Sequence, residues 1–287
     1  MTAKSIHTLK GPVDIESLSL ILPHEHLFTD LRGPSVADYA QGEPSAVVRV
    51  VGPYLAEASA AGATALVECS TVGVGRNLSV LRSLADITSI HIIAPTGVYR
   101  DAYIPESLRE ISEHDLAELW TTELTEGIEG TSIRAGFIKL AMSDDGPTAL
   151  EIRNLKAAVR ASQNTGAVIA SHTIGGKVAK KEMDVLEEAG LDLHALSGST
   201  PRRNQTFRYW KKPHAVGHTW NLTQLARLTS HRQNCSRLLL RLSRPVSQIT
   251  FYSHTMQVGT IPPAWMDCRR KVFEATRLWQ GISSPDY

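Results

Sequence analysis

Along the first two thirds of the chain, short apolar runs alternate with longer amphipathic stretches. The runs fall at 18–23 (LSLILP), 64–69 (TALVEC), 90–96 (IHIIAPT), 133–140 (IRAGFIKL) and 167–172 (AVIASH). Each has strand length and is apolar nearly throughout, the pattern of a strand covered on both faces. Between them, apolar residues recur at helical spacing over about 45–61, 76–87, 114–126, 148–165 and 177–189. The fourth of these, TALEIRNLKAAVRASQNTG, stops at Gly166, a residue that ends helices without steric cost. Strands alternating with helices imply βα units and a parallel sheet. The pattern therefore predicts an α/β fold with five βα units, closer to a barrel than to a sandwich. After His194 the rhythm fails. The stretch SGSTPRRNQTFRYWKKPHAVGHTWN has no clean period of 2 or 3.6, and the Arg- and Ser-rich text at 227–248 has one helical piece, near 235–242.

Composition narrows this reading. A length of 287 residues accommodates an α/β barrel of roughly 250 residues. No apolar run approaches the roughly 18 residues of a membrane span, so none is expected. The opening MTAKSIHTLKG has no apolar core of a secretory signal. Three scattered cysteines, Cys69, Cys235 and Cys268, form neither a disulfide framework nor a CxxC site, and the expected location is cytoplasmic. The net charge of +1 conceals a division: residues 195–287 hold 14 Lys and Arg against three acids, a balance of +11. The other 194 residues hold 16 basic and 26 acidic side chains, a balance of −10. Such asymmetry suggests either a nucleic-acid-binding tail or two different kinds of sequence joined together. The basic residues form no face or stripe at helical spacing, which counts against nucleic acid.

Candidate chemistry lies at the strand ends. In LILPHEHLFTD, residues 20–30, three ionisable side chains close an apolar strand. Residues i and i+2 of a strand point the same way, so His24 and His26 lean toward one point while Glu25 faces the other. A polar loop start is the plainer reading; a metal-binding pair is the sharper one. Active sites of α/β barrels lie at the C-terminal ends of the strands. Those ends also supply Lys139 in GFIKLAM and His172 in VIASHT. An ammonium inside an apolar strand is costly unless neutralised or paired. A lysine that snorkels out at the strand end would escape that cost. A desolvated, uncharged lysine can instead take up carbon dioxide, and the carbamate is an anionic oxygen ligand able to bridge two metals.

Together these pieces resemble a known family. IHTLKGPVDIESLSLILPHEHL is similar to the opening of the phosphotriesterase family of amidohydrolase-type barrels, which includes the phosphotriesterase-like lactonases. LVECSTVGVGRN resembles its second strand and GxGR loop, with Glu68 and Asn77 where Asp is commoner. TGVYRDAYIP, GFIKLA and VIASHT resemble its third, fourth and fifth strands. The resemblance covers residues 5–193 and implies a (β/α)8 TIM barrel of the metal-dependent hydrolase type. It implies a binuclear site with His24 and His26 on one metal, a carbamate on Lys139 as the bridge, and His172 on the other. Zinc is the default, and such ligands also suit Mn, Co or Fe. Tyr99 matches a substrate-side position of the lactonase branch; a half-buried strand-end tyrosine is the alternative. The implied reaction is hydrolysis of an ester or lactone by a metal-activated hydroxide, with phosphotriesters second. The implied partner is a small-molecule ester, lactone or phosphoester, with neither membrane nor nucleic acid; a homodimer is compatible.

Two family ligands are missing in register, a His on strand six and an Asp on strand eight that also accepts a proton. HALSGST follows GLDL, and SHT stands where the family has SHD, placing Thr255 at the Asp position. Thr cannot accept a proton from metal-bound water, so no catalytic base is assigned. His194, His214, His218 and His254 are candidate substitutes, each with an ordinary surface role as the alternative. A one-base shift of reading frame lets Ser199–Thr200 yield His, and lets residues 253–256 yield SHD. The expectation is a barrel portion over 1–193, incomplete after its fifth unit, joined to an out-of-frame basic tail over 194–287.

Overall fold

The computed structural model describes residues 5–190 and the strand 196–199. An antiparallel hairpin, β1 (Ser5–Thr8) and β2 (Gly11–Asp14), precedes the wall. The wall strands are β3 (Leu20–Glu25), β4 (Ala63–Glu68), β5 (His91–Ile93), β6 (Pro95–Gly97), β7 (Phe137–Ala141), β8 (Ile169–His172) and β9 (Leu196–Ser199). They pair in parallel as β3-β4-β5 and β6-β7-β8-β9, and a parallel bridge from Val72 to Val98 joins the two groups. The fold is thus α/β with parallel sheets, as the pattern predicts.

Two details differ from the sequence reading. The run at 90–96 is one bent wall position made of two strands. Pro95 lacks an N–H to give the ladder, while the Ala94 carbonyl accepts from Gly136 N at 2.9 Å. The wall also extends one strand past the fifth unit: β9 pairs with β8 from Ile169↔Leu196 to His172↔Ser199. Ladder pairing uses main-chain groups, so LSGS joins it without the apolar run that marks the other strands.

The helices α1 (Pro44–Ala60), α2 (Leu78–Asp86), α3 (Glu106–Arg109), α4 (Glu113–Thr125), α5 (Ala149–Thr165) and α6 (Gly176–Glu188) lie between the strands. Five of the six fall within two residues of the predicted stretches, and the four-residue α3 is additional. Their ends are chemically fixed. Glu43 caps α1 ahead of Pro44, Thr148 and Glu151 form a reciprocal capping box on α5, and Gly166 closes α5 in the left-handed conformation. None of the described helices is long and apolar enough to cross a membrane.

Strand alternation sorts the core into two layers. Leu66, Ile92, Ile138, Leu140 and Ile169 pack outward against helix residues such as Leu55, Leu84, Trp120 and Leu155. Ala65, Val67, Cys69, Ile93 and Phe137 form a smaller inner cluster that Ile6 of the hairpin joins. By the same alternation Lys139 shares the inner face with Phe137, and His172 shares it with Ala170. Gly97 lies opposite Lys139 in the ladder at φ +102°, and a Cβ there would collide with the Lys139 carbonyl. A side chain at this position would push the lysine strand out of line.

Candidate metal centre

A register irregularity sets the histidine pair. Between Leu22↔Leu66 and Glu25↔Glu68, β3 contains one residue more than β4, a bulge beside Pro23. The extra residue resets the alternation. Glu25 turns outward and is 5% exposed, while His24 and His26 join the inner side. Their Nε2 atoms lie 3.2 Å apart, with the rings tilted by 59°. Two imidazole nitrogens bound to one tetrahedral ion, each at about 2.05 Å, would be separated by about 3.3 Å. The separation suits a hydrogen bond between the two rings, and equally a divalent ion shared by them.

Neighbouring groups hold His26 in place. Its Nδ1 is 2.9 Å from Ser70 Oγ, leaving Nε2 for the inner side. The Glu68 carboxylate accepts from Leu27 N at 2.6 Å and from Ser70 N at 2.8 Å. One buried carboxylate thus ties the turn after His26 to the turn carrying its hydroxyl partner. Partners of this kind fix ring orientation in metal-binding histidines. Burial pushes the Glu68 carboxyl up to about 7.

Lys139 is 1% exposed, and burial lowers its amine below the usual lysine range, which favours the neutral form. Carbon dioxide reacts with that neutral form. His172, one strand further, is pushed down to about 3, first by burial and then by Lys139 and Arg100. It is a neutral imidazole at physiological pH, as a metal ligand must be. Its Nε2 is buried with no hydrogen-bond partner among the described residues. Behind it, on the outer face, the buried Glu182 of α6 accepts from Thr173 Oγ1 at 2.9 Å and steadies the end of β8.

Tyr99 stands beside His172 with ring centroids 5.5 Å apart. Its other face partners are Tyr103, edge-on at 5.5 Å, and Arg100, whose Cζ lies 5.4 Å from the ring centre. The structure thus brings together His24 with His26, and Tyr99 with His172, with Lys139 on the strand next to His172. Among the described residues no three His, Cys, Asp or Glu side chains converge on one point. Thr255, His194, His214, His218 and His254 lie outside the described residues. Sequence reasoning missed Ser70, Glu182 and Arg100. Ser70 is a small polar residue at a strand end, a signal too common to single it out.

Similarity to known proteins now settles the lineage. The model of the phosphotriesterase family matches residues 4–205. The chain belongs to the phosphotriesterase family. The match runs past residue 193 and takes in β9. The chain is 28% identical over 202 residues to a phosphotriesterase homology protein of Mycobacterium tuberculosis, covering 66% of this chain and 60% of that one. To an N-acetyltaurine hydrolase of Tetraodon nigroviridis it is 32% identical over 216 residues, covering 66% and 62%. To an aryldialkylphosphatase of Saccharolobus solfataricus it is 28% identical over 132 residues, covering 46% and 42%. The chain spans about three fifths of the length of the first of these phosphotriesterase-family relatives.

Proposed function

We propose that this phosphotriesterase-family chain carries the ligand-bearing strands of a metal-dependent hydrolase acting on a small-molecule ester or lactone. The observation that supports it most is the approach of His24 and His26 to 3.2 Å on the inner side of the wall. A buried Lys139 and a neutral His172 lie on two successive strands further round. When bound, divalent ions lower the pKa of a water and polarise the bond to be cleaved. His24 and His26 would hold one ion. Lys139, as a carbamate, would supply oxygen ligands, and His172 would hold the second ion. Carbamate formation joins the lysine nitrogen to carbon dioxide and releases one proton, so it needs the uncharged amine that burial provides. Tyr99 would line the substrate side next to His172. Zinc is the metal we assign first.

Phosphotriester hydrolysis is the second reading, favoured by the similarity to an aryldialkylphosphatase. The similarity to an N-acetyltaurine hydrolase favours an acyl substrate.

By the sequence resemblance Thr255 stands where the family has its Asp base, so the chain as it stands should turn over slowly. Loss of one positioned proton acceptor costs about 10²- to 10⁴-fold. Elemental analysis of the dialysed full chain should find no more than one tightly held divalent ion, lost in His24→Ala and kept in His172→Ala. Two ions per chain, both lost in His172→Ala, would overturn this assignment. Fast metal-dependent lactone turnover abolished by Lys139→Ala would show that the proton acceptor comes from elsewhere.

A further inference from the structure

Arg100 is the guanidinium beside the candidate site whose charge has the least to answer it. Three buried or half-buried arginines of the fold are well matched. Arg76 meets both oxygens of Glu123 at 2.8 Å and Glu129 at 3.0 Å. Arg109 meets the Asp101 carboxylate at 2.8 Å. Arg153 donates to three backbone carbonyls at 2.6 to 2.8 Å. Arg100 has a side-chain hydrogen bond to Tyr99 and one carboxylate contact, a 3.4 Å approach to Asp144, whose side chain is 49% exposed. Its Nε is buried and has no hydrogen-bond partner among the described residues. Nearby acids are already engaged: Asp101 by Arg109, and Glu151 by Asp101 N, Ser143 and Thr148 N.

The position of Arg100 gives this vacancy a direction. It follows Tyr99 at the C-terminal end of β6, and its guanidinium lies over the Tyr99 ring, which itself stands 5.5 Å from His172. A cation held on an aromatic face keeps its planar edge for a partner. That edge is a fork of N–H donors suited to two oxygens of one carboxylate. The weakly held group now at this fork is itself a carboxylate, that of Asp144.

We propose that Arg100 is a specificity-determining residue that holds a carboxylate of the substrate, with Asp144 standing in for it when the site is empty. This rests on reading the site as that of a hydrolase, and it narrows the substrate class to acyl compounds bearing a free carboxylate away from the scissile bond. Asp144 yields by swinging into solvent, where half of its side chain already is.

The test uses the full chain and three probes in ligand-observed NMR titrations: hippurate, its neutral methyl ester, and phenyl phosphate. Hippurate should bind about tenfold more tightly than the ester, the factor one charge-assisted hydrogen bond supplies. Arg100→Gln should lose about that factor for hippurate and leave the ester within about twofold. Asp144→Asn should tighten hippurate, because it removes the competing carboxylate; this gain of affinity also holds if Arg100→Gln folds poorly. Equal weakening of hippurate and ester in Arg100→Gln, or no tightening in Asp144→Asn, would overturn the proposal. So would phenyl phosphate binding more tightly than hippurate, which would assign the fork to phosphoryl groups. Zinc content measured on the same samples separates the two readings. Absence of zinc from the wild type counts against the hydrolase, whereas lost discrimination with zinc retained counts against Arg100 alone.

Discussion

Glu68 illustrates how much of a site is settled one side chain at a time. It has no exposed surface, and its two oxygens serve two different turns. Burial lifts its carboxyl from the ordinary 4.5 to about 7. Between those values the folded chain binds the proton more tightly than the unfolded chain does. This group therefore favours folding at low pH, and its contribution is lost as pH rises through about 7. We expect Glu68→Gln to flatten the fall in melting temperature between about pH 5.5 and 7.5. We also expect the variant to be less stable at both ends by about 1–3 kcal/mol, because an amide oxygen replaces only one of two buried acceptors. An unchanged slope in thermal melts would assign the pH dependence to other groups. His24 and His26 were legible because two residues apart on a strand is a local relation. Glu68 was legible only as a departure from the family's Asp. Its clamp joins Leu27 to Ser70, and nothing in the local pattern pairs positions 43 residues apart.

At the scale of elements, apolar runs found the strands because the wall is covered on both faces, and periodicity with Gly166 found α5 because caps are local chemistry. Three things escaped. The bulge at Pro23 is a relation between β3 and β4, invisible in either strand alone. The β1–β2 hairpin is only eight residues of ladder, with two buried residues, Ile6 and Thr8, of which only Ile6 is apolar. β9 has backbone pairing and almost no apolar signature. Yet β9 matters for the site, since Ser199 stands level with His172 in the ladder. On the proposed reading of the site, the next position round the wall to offer a ligand would be Ser199. Ser199→His should raise the divalent ion content from one per chain toward two, with the extra ion lost again in the double variant with His172→Ala. Elemental analysis decides it; unchanged stoichiometry would mean that position 199 does not reach the second ion.

For the whole molecule, the division of charge, +11 after residue 194 against −10 before it, coincides with the loss of strand-and-helix rhythm. Residues 200–287 lie outside the described residues, so the reading of this segment as out of frame remains a proposal carried by the sequence. It predicts that one edit near codons 194–199 restores a strand-six His, a strand-eight Asp and a tail near neutrality. The restored protein should bind two ions and melt at a markedly higher temperature, since a closed wall leaves no sheet edge unpaired. Sequencing the transcript and expressing both forms side by side tests this. An uninterrupted message for the tail as written, in a chain that melts cooperatively, would show the tail to be genuine. The order of the wall has a consequence for biosynthesis. Within each of the two groups, β3 to β5 and β6 to β9, every wall strand pairs with the one made just before it, and the Val72–Val98 bridge joins the groups. A nascent chain can therefore lay each strand onto an edge already formed as it leaves the ribosome. His24 and His26 emerge first, so a cation captured there would be in hand before Lys139 or His172 has been translated.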